Sequence, residues 1–172
     1  MDNPNDVAFN FKLFKKSPEL TANDLIEIIK QKQTFDISVQ ILNPSWIVSE
    51  RHLQIAVYHT LQAFNHKTNI AKGRETELLI RISGFRQIKN AAKDFGIDDK
   101  LETLLLVAFG GTFKENELKV QQILSEAGLL QIENVSLPIT ADVDLCKYYG
   151  IDDKSKLLEK EVIEKMATVE IT

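Results

Sequence analysis

Basic, amide and hydroxyl side chains are concentrated in residues 67–89, which we call the basic segment. Its Lys and Arg side chains can neutralise phosphates, and its Asn and Gln side chains can hydrogen-bond to the edges of bases. A helix that begins near Arg86 would direct backbone N–H groups at an anion. Arg81 interrupts an apolar run, so its guanidinium either pairs with a carboxylate in the core or emerges at a functional surface. The composition therefore leaves two interpretations open, a nucleic-acid-binding surface and a solvated face.

Three histidines, His52, His59 and His66, recur at a spacing of seven residues and suggest a metal site. On a helix that spacing separates successive rings by about 10 Å, whereas two helical ligands of one ion lie three or four residues apart. We therefore predict a polar stripe at the rim of a helix and no metal site.

A glycine turn and a single cysteine are the remaining candidates for chemistry. The turn Gly110-Gly111-Thr112 could hold a phosphate, but it lacks the P-loop and dinucleotide-binding patterns, so an ordinary strand-to-helix turn is the stronger prediction. Cys146 lies in an apolar helical pattern and is predicted to be buried rather than nucleophilic. The sequence thus predicts no enzymatic activity and no cofactor.

The charge of the chain is distributed unevenly. Residues 51–93 carry 8 basic and 2 acidic side chains, a net charge of +6, whereas residues 1–50 carry −2 and residues 94–172 carry −8. In a chain with an overall charge of −4, this basic region predicts a local anionic partner.

Length and composition predict one globular domain, residues 1–172. The chain has 172 residues, of which 44% are hydrophobic and 27% charged, which excludes the disordered and low-complexity classes. Its apolar runs, such as Leu104–Phe109, are far shorter than the ~20 residues of a membrane span, and residues 1–16 lack the apolar block of a signal peptide. We therefore expect a cytoplasmic location.

Hydrophobic periodicity predicts alternating helices and strands. The predicted helices are Thr21–Gln33 with Thr21 as N-cap, Ser49–His66 with Ser49 as N-cap, Arg86–Phe95 with Gly96 as a left-handed cap, Glu115–Glu126, Asp142–Tyr149 and Lys156–Met166. The predicted strands are Phe35–Leu42, Glu77–Ser83, Thr103–Phe109, Leu129–Leu137 and a closing Ala167–Ile171, and residues 1–18 form an entry strand or tail. For residues 77–83 the end of a helix stays an alternative. The class is α/β (mixed α+β), a central mixed sheet packed by several helices.

A series of short motifs carries a resemblance to a known family. The motifs are Gln40-Ile-Leu-Asn-Pro44, Trp46-Ile-Val-Ser49, Gln54-Ile-Ala-Val57, Lys67-Thr-Asn-Ile-Ala71, Glu77-Leu-Leu79, Ser83-Gly-Phe-Arg-Gln-Ile88 and Phe95-Gly-Ile97. In order and spacing they resemble the kinase-binding subunit of the KEOPS (EKC) complex, the TPRKB or PRPK-binding protein family, in its archaeal-type form. The resemblance covers about residues 37–109 well and the C-terminal helix more loosely.

The resemblance implies a noncatalytic subunit that binds the atypical kinase or ATPase of that complex. The same complex contains a threonylcarbamoyl-transferring subunit and a small dimerising subunit, and it makes threonylcarbamoyladenosine (t6A) in tRNA. In archaeal relatives this subunit also recruits tRNA through the single-stranded 3′ CCA end. The tRNA-binding candidates carried onto this chain are Lys67, Thr68, Asn69, Ala71, Lys72, Arg81, Ser83, Gly84, Arg86, Gln87 and Ile88.

Alternatives remain for these residues and for the whole chain. Arg81 could instead pair with Glu77 or another carboxylate, and Arg86 with Gln87 could simply open a helix. The chain could be a kinase regulator with no RNA contact, or a small α/β nucleotide-binding enzyme that uses the turn at Gly110. No motif assigns the surface that docks the kinase.

Overall fold

A four-stranded sheet forms the centre of the molecule. The computed structural model describes residues 3–140, 142–151 and 157–170. The strands are β1 (Phe9–Lys15), β2 (Ser38–Leu42), β3 (Thr103–Phe109) and β4 (Leu130–Gln131), in the order β2-β3-β1-β4. All pairs of neighbouring strands are antiparallel, where a mixed sheet was expected.

Helices cover both faces of this sheet. The helices are α1 (Ala22–Lys32), α2 (Glu50–His66), α3 (Arg74–Ser83), α4 (Ile88–Phe95), α5 (Phe113–Glu126), α6 (Asp142–Tyr149) and α7 (Leu158–Ala167). Side chains of α1 and α5 share one buried cluster, and side chains of α2, α3, α4, α6 and α7 share another. The predicted class of helices packed on a central sheet is confirmed, and no helix among the described residues is both long and apolar enough to cross a membrane.

Strand β3 explains why the two layers are held together. Its side chains alternate between the two clusters, with Leu104 and Leu106 on the α1 and α5 side and Leu105 and Val107 on the other side. All four side chains are fully buried. Because both faces of β3 are buried, its sequence is a continuous apolar run.

Polar caps place the first two helices where the sequence predicts them. The Thr21 side chain accepts a hydrogen bond from the Asp24 N–H, and the Asp24 carboxylate accepts one from the Thr21 N–H, which completes a capping box. The Ser49 Oγ accepts a hydrogen bond from the His52 N–H at 3.0 Å. Both caps are confirmed.

The strand predicted at Glu77–Ser83 is wrong, because these residues lie in α3. This helix contacts α2, α4, α7 and β2, and every residue from 77 to 83 is buried. The charged residues of this stretch, Glu77 and Arg81, lie one helical turn apart but pair with each other inside the fold, so they mark no exposed face, and Ile80 and Ile82 on either side of Arg81 imitate the alternation of a strand. The alternative of a helix was the correct one.

Other predicted elements are shorter or different. The strand predicted at Leu129–Leu137 is reduced to β4, and the strand predicted from Phe35 begins at Ser38, since Phe35 is 91% exposed. Of the closing strand predicted at Ala167–Ile171, Ala167 is the last residue of α7 and Thr168–Glu170 form a 3-10 turn, while residue 171 lies outside the described residues. Gly96 ends α4 in an extended conformation with φ −73°, so it is not a left-handed cap.

Candidate nucleic-acid interface

The loop between α2 and α3 begins with a sharp change of direction. Lys67 adopts the left-handed conformation with φ 59° and ψ 34°, and its N–H donates to the Phe64 carbonyl. The N–H of Thr68 donates to the Ala63 carbonyl at 2.8 Å. These bonds satisfy the last carbonyls of α2 and leave the Lys67 side chain exposed at the start of the loop.

A buried carboxylate fixes the middle of this loop. One oxygen of Glu77, Oε2, accepts hydrogen bonds from the N–H groups of Ile70 at 2.8 Å and Ala71 at 2.7 Å. The other, Oε1, accepts one from Arg81 Nε at 2.9 Å, with the Glu77 and Arg81 side chains 0% and 3% exposed. Arg81 therefore takes the core-carboxylate alternative, and much of its charge is balanced by Glu77.

A second turn, between α3 and α4, presents Arg86. The Ser83 Oγ donates to the Ile80 carbonyl and accepts from the Phe85 N–H, both at 3.1 Å. Gly84 ends α3 with φ 68°, a conformation that favours glycine. The exposed Arg86 side chain follows, and its Nη1 donates to the Val169 carbonyl at 3.4 Å.

An open groove of about 670 Å³ lies between the loop that joins α2 to α3, the first turn, and the segment that joins α3 to α4, the second turn. We call it the α2–α3 groove. Its cationic and polar lining combines the guanidinium groups of Arg81 and Arg86 with two histidines and aromatic and amide side chains of α2. The lining residues are Tyr58, His59, Gln62, Ala63, His66, Thr68, Ile70, Arg81, Arg86 and Val169. Such a lining offers both phosphate contacts and flat faces for base stacking.

The residues proposed from the sequence have different places around this groove. Thr68, Arg81 and Arg86 line it. Three others shape the backbone: Asn69 donates to the Ala71 carbonyl at 2.9 Å, and the buried Ser83 and Gly84 form the second turn. Ala71 is buried, and the remaining candidates, Lys67, Lys72, Gln87 and Ile88, are exposed but do not line the groove.

The three histidines do not form one stripe. His52 is fully buried, accepts from the Val48 N–H through Nδ1 at 3.3 Å and lies 2.9 Å from the Ile82 carbonyl through Nε2. Because Nδ1 accepts, we assign the proton to Nε2. Burial lowers the pKa of His52 to about 4. The predicted polar stripe is therefore wrong for His52, whereas His59 and His66 line the groove.

Sequence reasoning missed the contribution of α2 and of the C-terminal turn to the groove. Tyr58, Gln62 and His66 follow each other at intervals of four residues, so they share a helical face. That polar and aromatic face, which runs directly into the basic segment, was the available signal. Val169 comes from a distant part of the chain and had no such signal.

The glycine turn before α5 has a structural explanation. A Cβ on Gly110 would lie 2.4 Å from the Asp36 carbonyl oxygen, and one on Gly111 would lie 2.9 Å from Ile37. The Thr112 N–H is bonded to the Glu115 carboxylate at 2.8 Å, so this helix start already holds a negative charge. The turn thus needs its glycines for close packing against residues 36 and 37.

Two comparisons with known proteins bear on the identity of the chain. The model of one protein family, described as kinase binding protein CGI-121, matches residues 16–170. A search of the curated proteins finds no match. The family match includes both turns of the α2–α3 groove and the C-terminal helix.

Proposed function

Since the chain belongs to the family of the kinase binding protein CGI-121, we propose that it is a noncatalytic subunit of the KEOPS complex. In this role it binds the atypical kinase subunit of the complex and recruits tRNA through the 3′ CCA end for t6A modification. The threonylcarbamoyl-transferring subunit and the small dimerising subunit are then members of the same assembly. The kinase part of the proposal rests on the family, and the tRNA part rests on the α2–α3 groove.

The composition of the groove is the observation that carries the tRNA part. Arg86 is exposed and supplies a positive charge at one side, whereas Arg81 supplies guanidinium N–H groups whose charge is balanced by Glu77. Tyr58, His59 and His66 supply ring faces along α2. Unpaired 3′ nucleotides expose phosphates, base edges and base faces together, which is the combination this lining can contact.

A charge reversal tests this assignment. We expect Arg86→Glu to weaken binding of tRNA with an intact CCA end by roughly tenfold at low salt, because it replaces an attraction to phosphate by a repulsion. Lys30→Glu is the matched control, since Lys30 lies on α1 at the opposite face of the sheet and is exposed beside Glu27. Binding is measured with fluorescently labelled tRNA.

Equal effects of the two variants would contradict the groove as the tRNA site. If neither the wild type nor the variants bind tRNA while the kinase is still bound, the chain is a kinase regulator without RNA contact. The nucleotide-enzyme alternative has lost its main support, because the turn at Gly110 is explained by packing.

A further inference from the structure

The two turns of the groove are separated by most of α3, and a third segment contacts both. This segment is the C-terminal 3-10 turn, Thr168–Glu170, which follows α7 directly. Val169 is 3% exposed and lines the α2–α3 groove. The C-terminal turn therefore contributes to the groove without belonging to the basic segment.

The side chain of Val169 packs against the first turn and against α3. It forms a small buried cluster with Ala71 and Ile80, separate from the two main clusters of the molecule. Ala71 is the loop residue whose N–H is bonded to Glu77 at 2.7 Å. Because the cluster holds only these three buried side chains among the described residues, Val169 has a large share in the apolar contact that keeps this loop on α3.

The backbone of Val169 and the end of α7 contact the second turn. The Val169 carbonyl accepts the hydrogen bond from Arg86 Nη1 at 3.4 Å. One turn earlier, the Lys165 ammonium lies 5.5 Å from the centre of the Phe85 ring and 5.6 Å from that of Tyr149. The Lys165 side chain also lies against Gly84, because a Cβ on Gly84 would be 3.4 Å from Lys165 Cγ.

We infer that the C-terminal turn is a clasp, in which Val169 is a positioning residue that sets the distance between the two turns of the α2–α3 groove. The inference rests on the proposed function, because its consequence is for RNA recognition. Val169 contacts Ala71 of the first turn and Arg86 of the second turn, and so holds both turns in place. A ligand that contacts both turns therefore meets a preorganised site. A loosened clasp lowers the affinity for such a ligand and leaves single-turn, charge-driven contacts unchanged.

Val169→Ala tests the clasp by shortening the side chain that packs on Ala71 and Ile80. The readout is the ratio of affinities for matched tRNAs with and without the CCA end. We expect this ratio to fall by roughly tenfold, the equivalent of one lost base contact, while the affinity for the tRNA without CCA stays constant. A purely structural role of Val169 would change the ratio no more than the same truncation elsewhere in the C-terminal part of the chain.

The matched control is Val162→Ala, which removes the same atoms from α7, the helix that directly precedes the C-terminal turn. Val162 is 1% exposed but belongs to the large cluster on the α2 side, not to the Val169 cluster. We expect Val162→Ala to lower thermal stability and to keep the CCA ratio of the wild type. If Val169→Ala does not fold, Val169→Thr is used in its place, because it keeps the volume and puts a hydroxyl where a methyl of the apolar cluster was.

The outcomes separate the clasp from the proposed function. If the wild type does not discriminate the CCA end, the proposed function fails. If the wild type discriminates and Val169→Ala keeps the full ratio, the clasp is wrong and the proposed function stands. A fall of the ratio in both alanine variants also contradicts the clasp, because it would reflect general destabilisation.

Discussion

Replacing Glu77 by Gln tests the anchor that organises the basic segment. The fully buried Glu77 carboxylate accepts three hydrogen bonds, from the N–H groups of Ile70 and Ala71 and from Arg81 Nε, at 2.7–2.9 Å. The Gln side chain keeps the shape but has one acceptor oxygen and an NH₂ group in place of the second. The NH₂ group of Gln then faces another donor, either Arg81 Nε or the N–H groups of the loop, and the hydrogen bonds on that side are lost.

The magnitude follows from the burial of this pair. Hydrogen bonds to a charged group contribute about 1.5–3 kcal/mol each. Breaking a buried ion pair by removing one partner costs about 3–5 kcal/mol. We expect Glu77→Gln to lower the free energy of unfolding by about 3–4 kcal/mol, a large part of the roughly 5–15 kcal/mol that is typical of a domain.

Urea unfolding followed by circular dichroism measures this loss. At an m-value of about 2 kcal/mol/M, the midpoint should fall by about 1.5–2 M. Glu164→Gln is the control, because Glu164 pairs with Lys160 at the same spacing of four residues but both side chains are more than half exposed. An exposed pair contributes about 0–1 kcal/mol. Similar losses in the two variants would refute the anchor.

Two further predictions concern buried polar groups. Burial lowers the pKa of His52 from 6.5 to about 4. Between these two pH values the unfolded chain binds a proton at His52 that the folded chain does not bind. The contribution of His52 to the free energy of unfolding is therefore complete above pH 6.5 and falls by about 3 kcal/mol as the pH drops to 4. His52→Gln should therefore show a weaker pH dependence of urea unfolding over this range than the wild type, and an equal dependence would contradict the assignment. Tyr149 donates a hydrogen bond to the Trp46 carbonyl at 2.7 Å, so Tyr149→Phe should cost about 1 kcal/mol in thermal unfolding, and an unchanged melting temperature would show that this bond is not stabilising.

Local signals in the sequence predict the elements that carry a polar cap, one apolar face or an uninterrupted apolar run. Helix α2 has a polar cap at Ser49 and one apolar face, and strand β3 is an uninterrupted apolar run, so both are found within a residue of their true bounds. Residues 77–83 of α3 look like a strand because Ile80 and Ile82 flank Arg81, and because the charged residues Glu77 and Arg81 pair inside the fold and mark no exposed face. The error matters for the site, because residues four apart are within pairing distance on a helix, as Glu77 and Arg81 are at 2.9 Å, whereas on a strand they would lie about 13 Å apart.

The candidate site was predictable where its residues are neighbours in the chain. The basic segment is visible from its composition, and Arg86 is exposed in the groove as that composition suggests. The pairing of Arg81 with Glu77 stayed one of two alternatives, because burial depends on the layers around α3. Val169 reaches the groove from a distant part of the sequence, and only tertiary packing brings it there.

The most direct test of the proposed function compares two tRNAs that differ only in the terminal CCA. Binding of the purified chain is measured for both at ~50 mM and ~200 mM salt, since neutralised phosphates make affinity fall steeply with salt. We predict tight binding of the tRNA with CCA, clear weakening on removal of CCA and a loss of affinity at the higher salt. Equal affinity for the two tRNAs, or no binding of either, would contradict the proposal that this chain recruits tRNA by its 3′ end.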